Sequence, residues 1–403
     1  MKSDSRPFDA LVSERGMALP MTMIVLTLIT TLALAFLVLS ASEPVIAANH
    51  MASAQARAMA ESGIERALWA LTMGTTAPTT TGAVADPMPS SPAGQPYNGA
   101  TYVSMGTIGG FTVSIANGAA ANERVIEAIG YVPDNVNPVA TKKIMLTATR
   151  MKWLDPPCAI CAGGEAPQNN QTNIQIGGAA TVNASPTDGA QYCAGVMPTA
   201  ATMSQGSVNT NGNPDLSAPP GGVPALQHQP QQNFTPFLFT DADMEMLKTI
   251  AKMPGRGTYL QGSQTFTSPP PNGIVFIDTP SGNPFTANSP SSDIISVDIH
   301  GNWSQSWNGW LIVAGSVYIS GNVTLNGLVY AQNDVTLDGT GGGGITGAVI
   351  STNRMDTTST NIDAQSIGNA PTTYNCPAVR NGGGTISQYW FSKPGTFREV
   401  ATY

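Results

Sequence analysis

The sequence predicts two kinds of structure in one chain. The first is an α+β N-terminal module of one long transmembrane helix and a small antiparallel sheet. The second is an all-β C-terminal domain of the β-solenoid (parallel β-helix) type. Three observations carry this expectation. Residues 17–41 contain no charged side chain. Four short runs rich in β-branched and aromatic residues follow within 101–150. Further on, similar sequence returns after 18 residues, from Gly309 to Gly327 and from Val317 to Val335.

The apolar run is long enough to cross roughly 30 Å of hydrocarbon as a helix. Its helical pattern continues past the apolar residues, unlike a cleaved secretory signal. Lys2, Arg6 and Arg15 precede it, and the next basic residue is Arg57. Basic flanks stay cytoplasmic, which puts the N-terminus inside and the chain after about residue 42 outside. A kink is expected at Pro44, which lacks the backbone donor. Beyond it, Ala48, Ala52, Ala56, Ala60, Ile64 and Leu68 recur every four residues, with Ala67 and Leu71 beside them. Such a small-residue stripe lets another helix or a sheet approach closely, so 17–73 reads as membrane span and stem.

The runs 101–105, 110–115, 124–131 and 143–150 are separated by Gly, Asn and Pro turns and read as one antiparallel sheet over 98–152. Phe111, Val113 and Ile115 alternate with Thr112 and Ser114, so one face is apolar. Ile64, Leu68 and Leu71 on the stem are its nearest partner.

The remainder, 153–403, repeats. VYISGNVTLNG (317–327) aligns without gaps to IQIGGAATVN (174–183), and its first half matches VDIHGN (297–302). Asn272-Gly273, Asn308-Gly309, Asn326-Gly327 and Thr346-Gly347 each precede a pair such as Leu328-Val329. A fixed step, paired short strands and Asn/Gly corners are the signature of a β-solenoid whose coils bury Val, Ile and Leu against one another. Parallel crossovers favour a right-handed coil, and the rung length suits the left-handed type too. Residues 240–253 read as an inserted helix, started by Thr240 with Asp243 in a near capping box and stopped at Pro254-Gly255. Residues 203–232, rich in Pro, Gln, Asn and Gly, read as a loop.

The order Arg15-Gly16-Met17-Ala18-Leu19-Pro20, the apolar helix, and then AESGIERAL (60–68) resembles the N-terminal region of PilX-type minor pilins of type IV pili. NGWLIVAGSVYISGNVTLNGLVYAQNDVTLDG, followed by ITGAVIST and KPGTFREV, resembles the C-terminal region of longer PilX-family pilus assembly proteins. The resemblance implies a leader over 1–16, cut by prepilin peptidase between Gly16 and Met17. It implies an inner-membrane anchor that later packs in the core of an extracellular pilus. The implied partners are other minor and major pilins and the inner-membrane assembly machinery. Two positions depart from the family: Met17 stands where Phe is common, and Met21 holds mature position five, where most pilins carry Glu. In the family that Glu neutralises the N-terminal amine of a subunit already in the filament. A subunit without it cannot satisfy a neighbour ahead, because an unpaired charge among apolar helices is costly. With a head too large for every layer of a regular shaft, Met21 implies the tip. Three functions stay open: a minor pilin that starts or caps the filament and displays the head, a tip adhesin that chiefly binds a ligand, and a membrane-tethered surface protein outside any filament.

The chain carries a net charge of -8, and neither 153–247 nor 257–353 contains Lys or Arg. No basic face exists there to neutralise phosphates, so nucleic acid is not an expected partner. Lyase chemistry would need charged groups converging on one groove, yet Asp334 and Asp338 are the only charged residues in 301–353. No enzyme and no cofactor are expected; those two aspartates, with backbone carbonyls, are candidate calcium ligands. Cys158, Cys161, Cys193 and Cys376 fall on the external side, where disulfides form. At least one disulfide is expected to tie the start of the solenoid, with three full pairings open and a four-thiolate zinc site as the alternative. In NWSQSWNGW, Trp303 aligns with Val323 and Trp310 with Leu328, both as core. Trp307 is left as the candidate for surface contact.

Overall fold

The structure is a computed structural model that describes residues 18–73, 97–120, 122–150, 154–164, 172–185, 197–339, 342–355, 362–369, 371–382 and 390–401. The chain divides into two compact units, Met1–Thr149 with Ser392–Tyr403, and Arg150–Phe391.

In the first unit, helix α1 (Ala18–Met73) is one continuous element that carries Pro44 in its interior, where the sequence predicts a kink. Its second half packs on a sheet in which Val103–Ser104, Gly110–Asn117, Glu123–Val132 and Ala140–Arg150 pair antiparallel in chain order. Ala52, Ala56, Ala60, Ile64, Ala67, Ala70 and Leu71 are buried. Ala48 stays exposed and Leu68 half-buried, so the stripe begins one turn later than its sequence period suggests. On the sheet, Val113 faces Ala128 and Ala128 faces Ile144, while Ile115 faces Ile126 and Ile126 faces Leu146. All six are buried, which is what cross-strand apolar pairing on one face produces. Small residues are needed because the backbones touch: a Cβ on Gly130 would lie 1.9 Å from the Ala56 carbonyl oxygen.

Sequence position alone assigns residues after 392 to the head, and the structure corrects this. Arg398–Val400 pairs antiparallel with the strand Ala140–Arg150, at Lys143 to Met145. Lys393 bonds Glu123 at 2.6 Å, the Lys393 N–H donates to the Thr147 carbonyl at 2.8 Å, and Lys142 pairs with Glu399. The Lys393 ammonium, through its hydrogen bond first, holds the Glu123 carboxyl below the ordinary glutamate value of 4.5 against the opposing effect of burial. Lys142 does the same for Glu399. A depressed folded pKa means that the unfolded chain binds more protons, so stability rises with pH through this range. The stabilisation is therefore complete above the ordinary value and is lost as pH falls through the folded one. Thermal melts and amide exchange of Glu123–Val132 between neutral pH and pH values below 4.5 should show this acid slope, and Glu123→Gln should flatten it. An unchanged slope in the variant would refute the contribution.

The second unit is built from two parallel sheets between which the chain alternates. In the larger, Gly257–Gln261, Gly273–Asp278, Trp307–Val313, Thr324–Ala331 and Gly344–Ser351 lie side by side in that order. In the smaller, Gln264–Phe266, Ser296–Ile299, Ser316–Ser320, Val335–Gly339 and Ile362–Gly368 do the same. The 18-residue step is the spacing of neighbouring strands: Gly309 pairs with Gly327 and Val317 with Val335. Inward side chains form columns through the layers, among them Val297, Val317, Val335, Ala364, Ile174 and Val208. These residues belong to one apolar cluster that draws on both sheets.

Stacking order departs from chain order. Above the layer Gly344–Ser351 comes the strand Cys158–Ala162, with Val349 beside Ile160, and Ile362–Gly368 pairs with Asn173–Gly178. The layer Ala200–Ser204 with Val208–Gly212 follows, and Val223–Leu226 ends the stack. Residues 203–232, read from sequence as a loop, thus contribute strands. Buried polar positions such as Ser204 interrupt the apolar ones such as Val208, and the steps are irregular, which weakens the hydrophobic signal. The chain then returns through 227–256 to the opposite end of the stack.

That return segment covers part of the outer face of the larger sheet, so that Phe276, Ile312, Tyr330 and Ile350 are buried on this side as their neighbours are on the other. Helix α2 (Asp241–Lys252) has Thr240 as N-cap in a complete capping box with Asp243. Its Met244, Leu247, Ile250 and Ala251, with Phe234, Phe237, Leu238 and Phe239, pack on the outward column Phe276, Ile312, Tyr330 and Ile350 and on Trp310. Helix α3 (Cys376–Asn381) sits over the neighbouring column, where the Trp310 indole N–H donates to the Val379 carbonyl at 2.6 Å.

Candidate functional site

The most unusual surface of the chain is the first half of α1. Leu19, Met21, Ile24, Leu28, Leu32, Phe36, Leu39 and Ile46 are all more than half exposed, and these side chains stand clear of the other described residues. A helix apolar on every side is stable in lipid or among other helices. Its few hydroxyls conform to that setting. Thr22, Thr27, Thr30, Thr31 and Ser42 each donate back to a carbonyl three or four residues earlier, at 2.8–3.0 Å. No side-chain donor among them is left facing an apolar surround, which would be costly there. The helix is long and apolar enough to cross a membrane. Met21, the expected filament-packing residue, is 69% exposed. Gly16 and Met17, the expected cleavage residues, lie outside the described residues.

The head residues singled out from sequence fare differently. Trp307 is buried, 1% exposed, and its indole N–H donates to the Pro271 carbonyl at 3.0 Å. The surface-contact expectation for it is therefore corrected. Its strand register sets Trp307 beside Leu325, which sits beside Ile345, an inward column that local spacing in NWSQSWNGW does not display. Trp303 is interior too, and Trp310 aligns with Leu328 and Ala348, as expected, but on the outward face beneath α3.

Asp334 and Asp338 are engaged separately. The Asn333 amide donates to Asp334 at 3.0 Å, and the Tyr318 hydroxyl donates to Asp338 at 3.1 Å. Partial burial, reinforced by the Asp338 carboxylate, pushes the Tyr318 hydroxyl above its ordinary pKa. No cluster of three or more His, Cys, Asp or Glu suited to a metal occurs among the described residues. Cys158 and Cys161 are joined to each other in a disulfide at the first strand of the second unit. Cys376, which opens α3, is disulfide-bonded as well. Cys193 lies outside the described residues.

Sequence reasoning missed α3 and the concavity beside it. Asn308, Asn326 and Thr346 form an outward row along the larger sheet, with the Asn326 side-chain amide donating to the Asn308 side-chain oxygen Oδ1 at 3.0 Å. The recurring Asn-Gly pairs were the available signal, since each Asn stands one residue before a glycine with positive φ.

No protein-family model matches the chain, and no curated relative does. Among solved structures, the chain is similar to the competence-associated pilin ComZ from Thermus thermophilus, at 12% identity and a TM-score of 0.24, over 87% of this chain and 96% of that one.

Proposed function

We propose that this chain is a minor pilin of a type IV pilus, placed at the filament tip, which promotes assembly and presents a β-solenoid head for surface contact. The observation that carries the reading is the division of α1: a bare apolar first half continuous with a small-residue second half seated on an antiparallel sheet. A subunit that must rest in a membrane and later among other helices needs both halves in one rod. The alternation of the chain between two parallel sheets in register supports the solenoid reading of the head. Met21 supports the tip, because a subunit lacking that carboxylate offers no partner to the amine of a subunit ahead. Disulfides at Cys158–Cys161 and Cys376 suit an oxidising exterior. On this reading the N-terminus faces the cytoplasm before assembly, the partners are other pilins, prepilin peptidase and the assembly machinery, and the head has no catalytic task and no nucleic-acid ligand of its own.

N-terminal sequencing of the membrane-extracted protein tests it: a mature chain beginning at Met17 is expected, and an intact leader or a cut near Ser42 overturns the pilin reading. Immunogold labelling of sheared pili tests the position. Label confined to filament ends is expected, and label spread along the shaft refutes the tip.

A further inference from the structure

We propose that the cleft between the Asn308–Asn326–Thr346 row and α3 is a binding site for a neutral sugar. This goes beyond the pilin reading and stands or falls without it.

Alternation along the strands places the site. Trp307, Leu325 and Ile345 point into the core, so the next residues, Asn308, Asn326 and Thr346, point outward, and Trp310, Leu328 and Ala348 two positions on point outward again. Helix α3 covers the apolar row and leaves the polar one open. The result is a shallow, open concavity of about 510 Å3 on the sheet face. One wall is the polar row, the other is α3, which contributes Asn381 and the apolar surface of Pro377 and Ala378.

The chemistry selects the ligand. Neighbouring strands repeat at about 4.8 Å, so amide and hydroxyl groups recur along the wall at regular intervals. An amide offers two donor hydrogens and an acceptor oxygen: Asn326 gives one hydrogen to the Asn308 side-chain oxygen, the Asn375 oxygen accepts from the Ala378 N–H as the cap of α3, and Asn308 and Asn381 each have a further partner. Paired donors and acceptors suit the adjacent hydroxyls of a sugar, while Pro377 and Ala378 suit the apolar face of its ring. Among the described residues, none that lines it is charged. The one basic residue of α3, Arg380, is held by Asp155 at 2.7 and 2.9 Å. Among the described lining residues, phosphate, sulfate and carboxylate ligands therefore meet no cation, and amines and metal ions meet no carboxylate.

The test uses the full-length chain in detergent, with cellotetraose, chitotetraose, lactose and mannobiose as neutral probes and sialyllactose and a sulfated disaccharide as anionic ones. Saturation-transfer NMR and calorimetry are expected to show binding of at least one neutral probe and none of the anionic ones. Asn326→Ala is expected to weaken it by about ten-fold. Asn381→Trp, at the exposed rim, is expected to weaken it at least as much with an unchanged melting temperature, so that loss of binding is separated from loss of fold. Absence of binding by every neutral probe, preference for an anionic one, or binding that Asn381→Trp leaves intact would overturn the proposal.

Discussion

Replacing Gly327 by Val is expected to unfold the parallel-sheet unit. Gly273, Gly309, Gly327 and Gly347 stand in one column, each paired to the next across neighbouring strands, and all four have φ between +113° and +159°. That conformation is one that L side chains rarely adopt. Space forbids them as well: a Cβ at Gly327 would sit 1.8 Å from the Gly309 carbonyl oxygen, and one at Gly347 would sit 1.7 Å from that of Gly327. The obstacle is backbone of the adjacent layer, which cannot swing aside without opening the ladder hydrogen bonds. Strain and lost pairing together place the effect on the order of 4 kcal/mol or more, in the range that marks a named structural failure. The neighbouring Asn326→Ala removes one side-chain hydrogen bond and is expected to cost about 1 kcal/mol. Circular dichroism melts of the full chain, with amide exchange over Trp307–Val313 and Gly344–Ser351, would separate the two. A Gly327→Val protein that melts with the wild type would show that the column tolerates side chains.

The second large effect belongs to Lys248 on α2. Its ammonium lies 2.6 Å from Asp278 and donates to the Gly282 carbonyl at 2.6 Å, with the two ionic side chains 10% and 3% exposed. Asp278 also accepts from the Tyr259 hydroxyl at 2.9 Å and from the Thr279 N–H at 2.9 Å. Burial first, and the Asp278 carboxylate second, push the Tyr259 hydroxyl far above its ordinary pKa, so it remains a donor. Lys248→Met would leave a buried carboxylate without its cation, a change that costs about 3–5 kcal/mol in comparable sites. Adding Asp278→Asn should recover part of the loss, since the remaining group is then neutral and can still accept from Tyr259. A double-mutant cycle read by thermal melts measures this coupling. Additive single losses, or a Lys248→Met loss under about 1 kcal/mol, would show that the pair does not hold α2 on the sheet. Amide exchange across Asp241–Lys252 would report the same event locally.

Much of this architecture is written in local periods, and the reason is geometric. An unbroken apolar run of this length reads as a helix long enough to cross a membrane, so the first part of α1 needed no tertiary information. A four-residue spacing of small side chains marks the helix face that meets a sheet, and Ala52 to Leu71 met one. Period-two alternation sets one face of Gly110–Asn117 against α1, because a strand turns successive side chains to opposite sides. The 18-residue step marks the parallel register, and the capping box of Thr240 and Asp243 marks the start of α2. Each of these is a relation between residues a few positions apart or one layer apart.

What tertiary structure alone decided is where distant segments meet. That the layer at Cys158–Ala162 stacks on Gly344–Ser351, that Arg398–Val400 closes the first sheet, and that α2 and α3 cover one face of the larger sheet are contacts across scores of residues that no spacing encodes. Trp307 shows the consequence at a single side chain. It alone of the three tryptophans in NWSQSWNGW aligns with no core position of the repeat, yet it is buried by the strand register that sets it beside Leu325. Sequence by itself determined which faces are apolar, through the fixed periods of helix and strand. Only the folded chain decided which apolar faces are covered and by what, because burial is a property of the partner that arrives and not of the residue that waits for it.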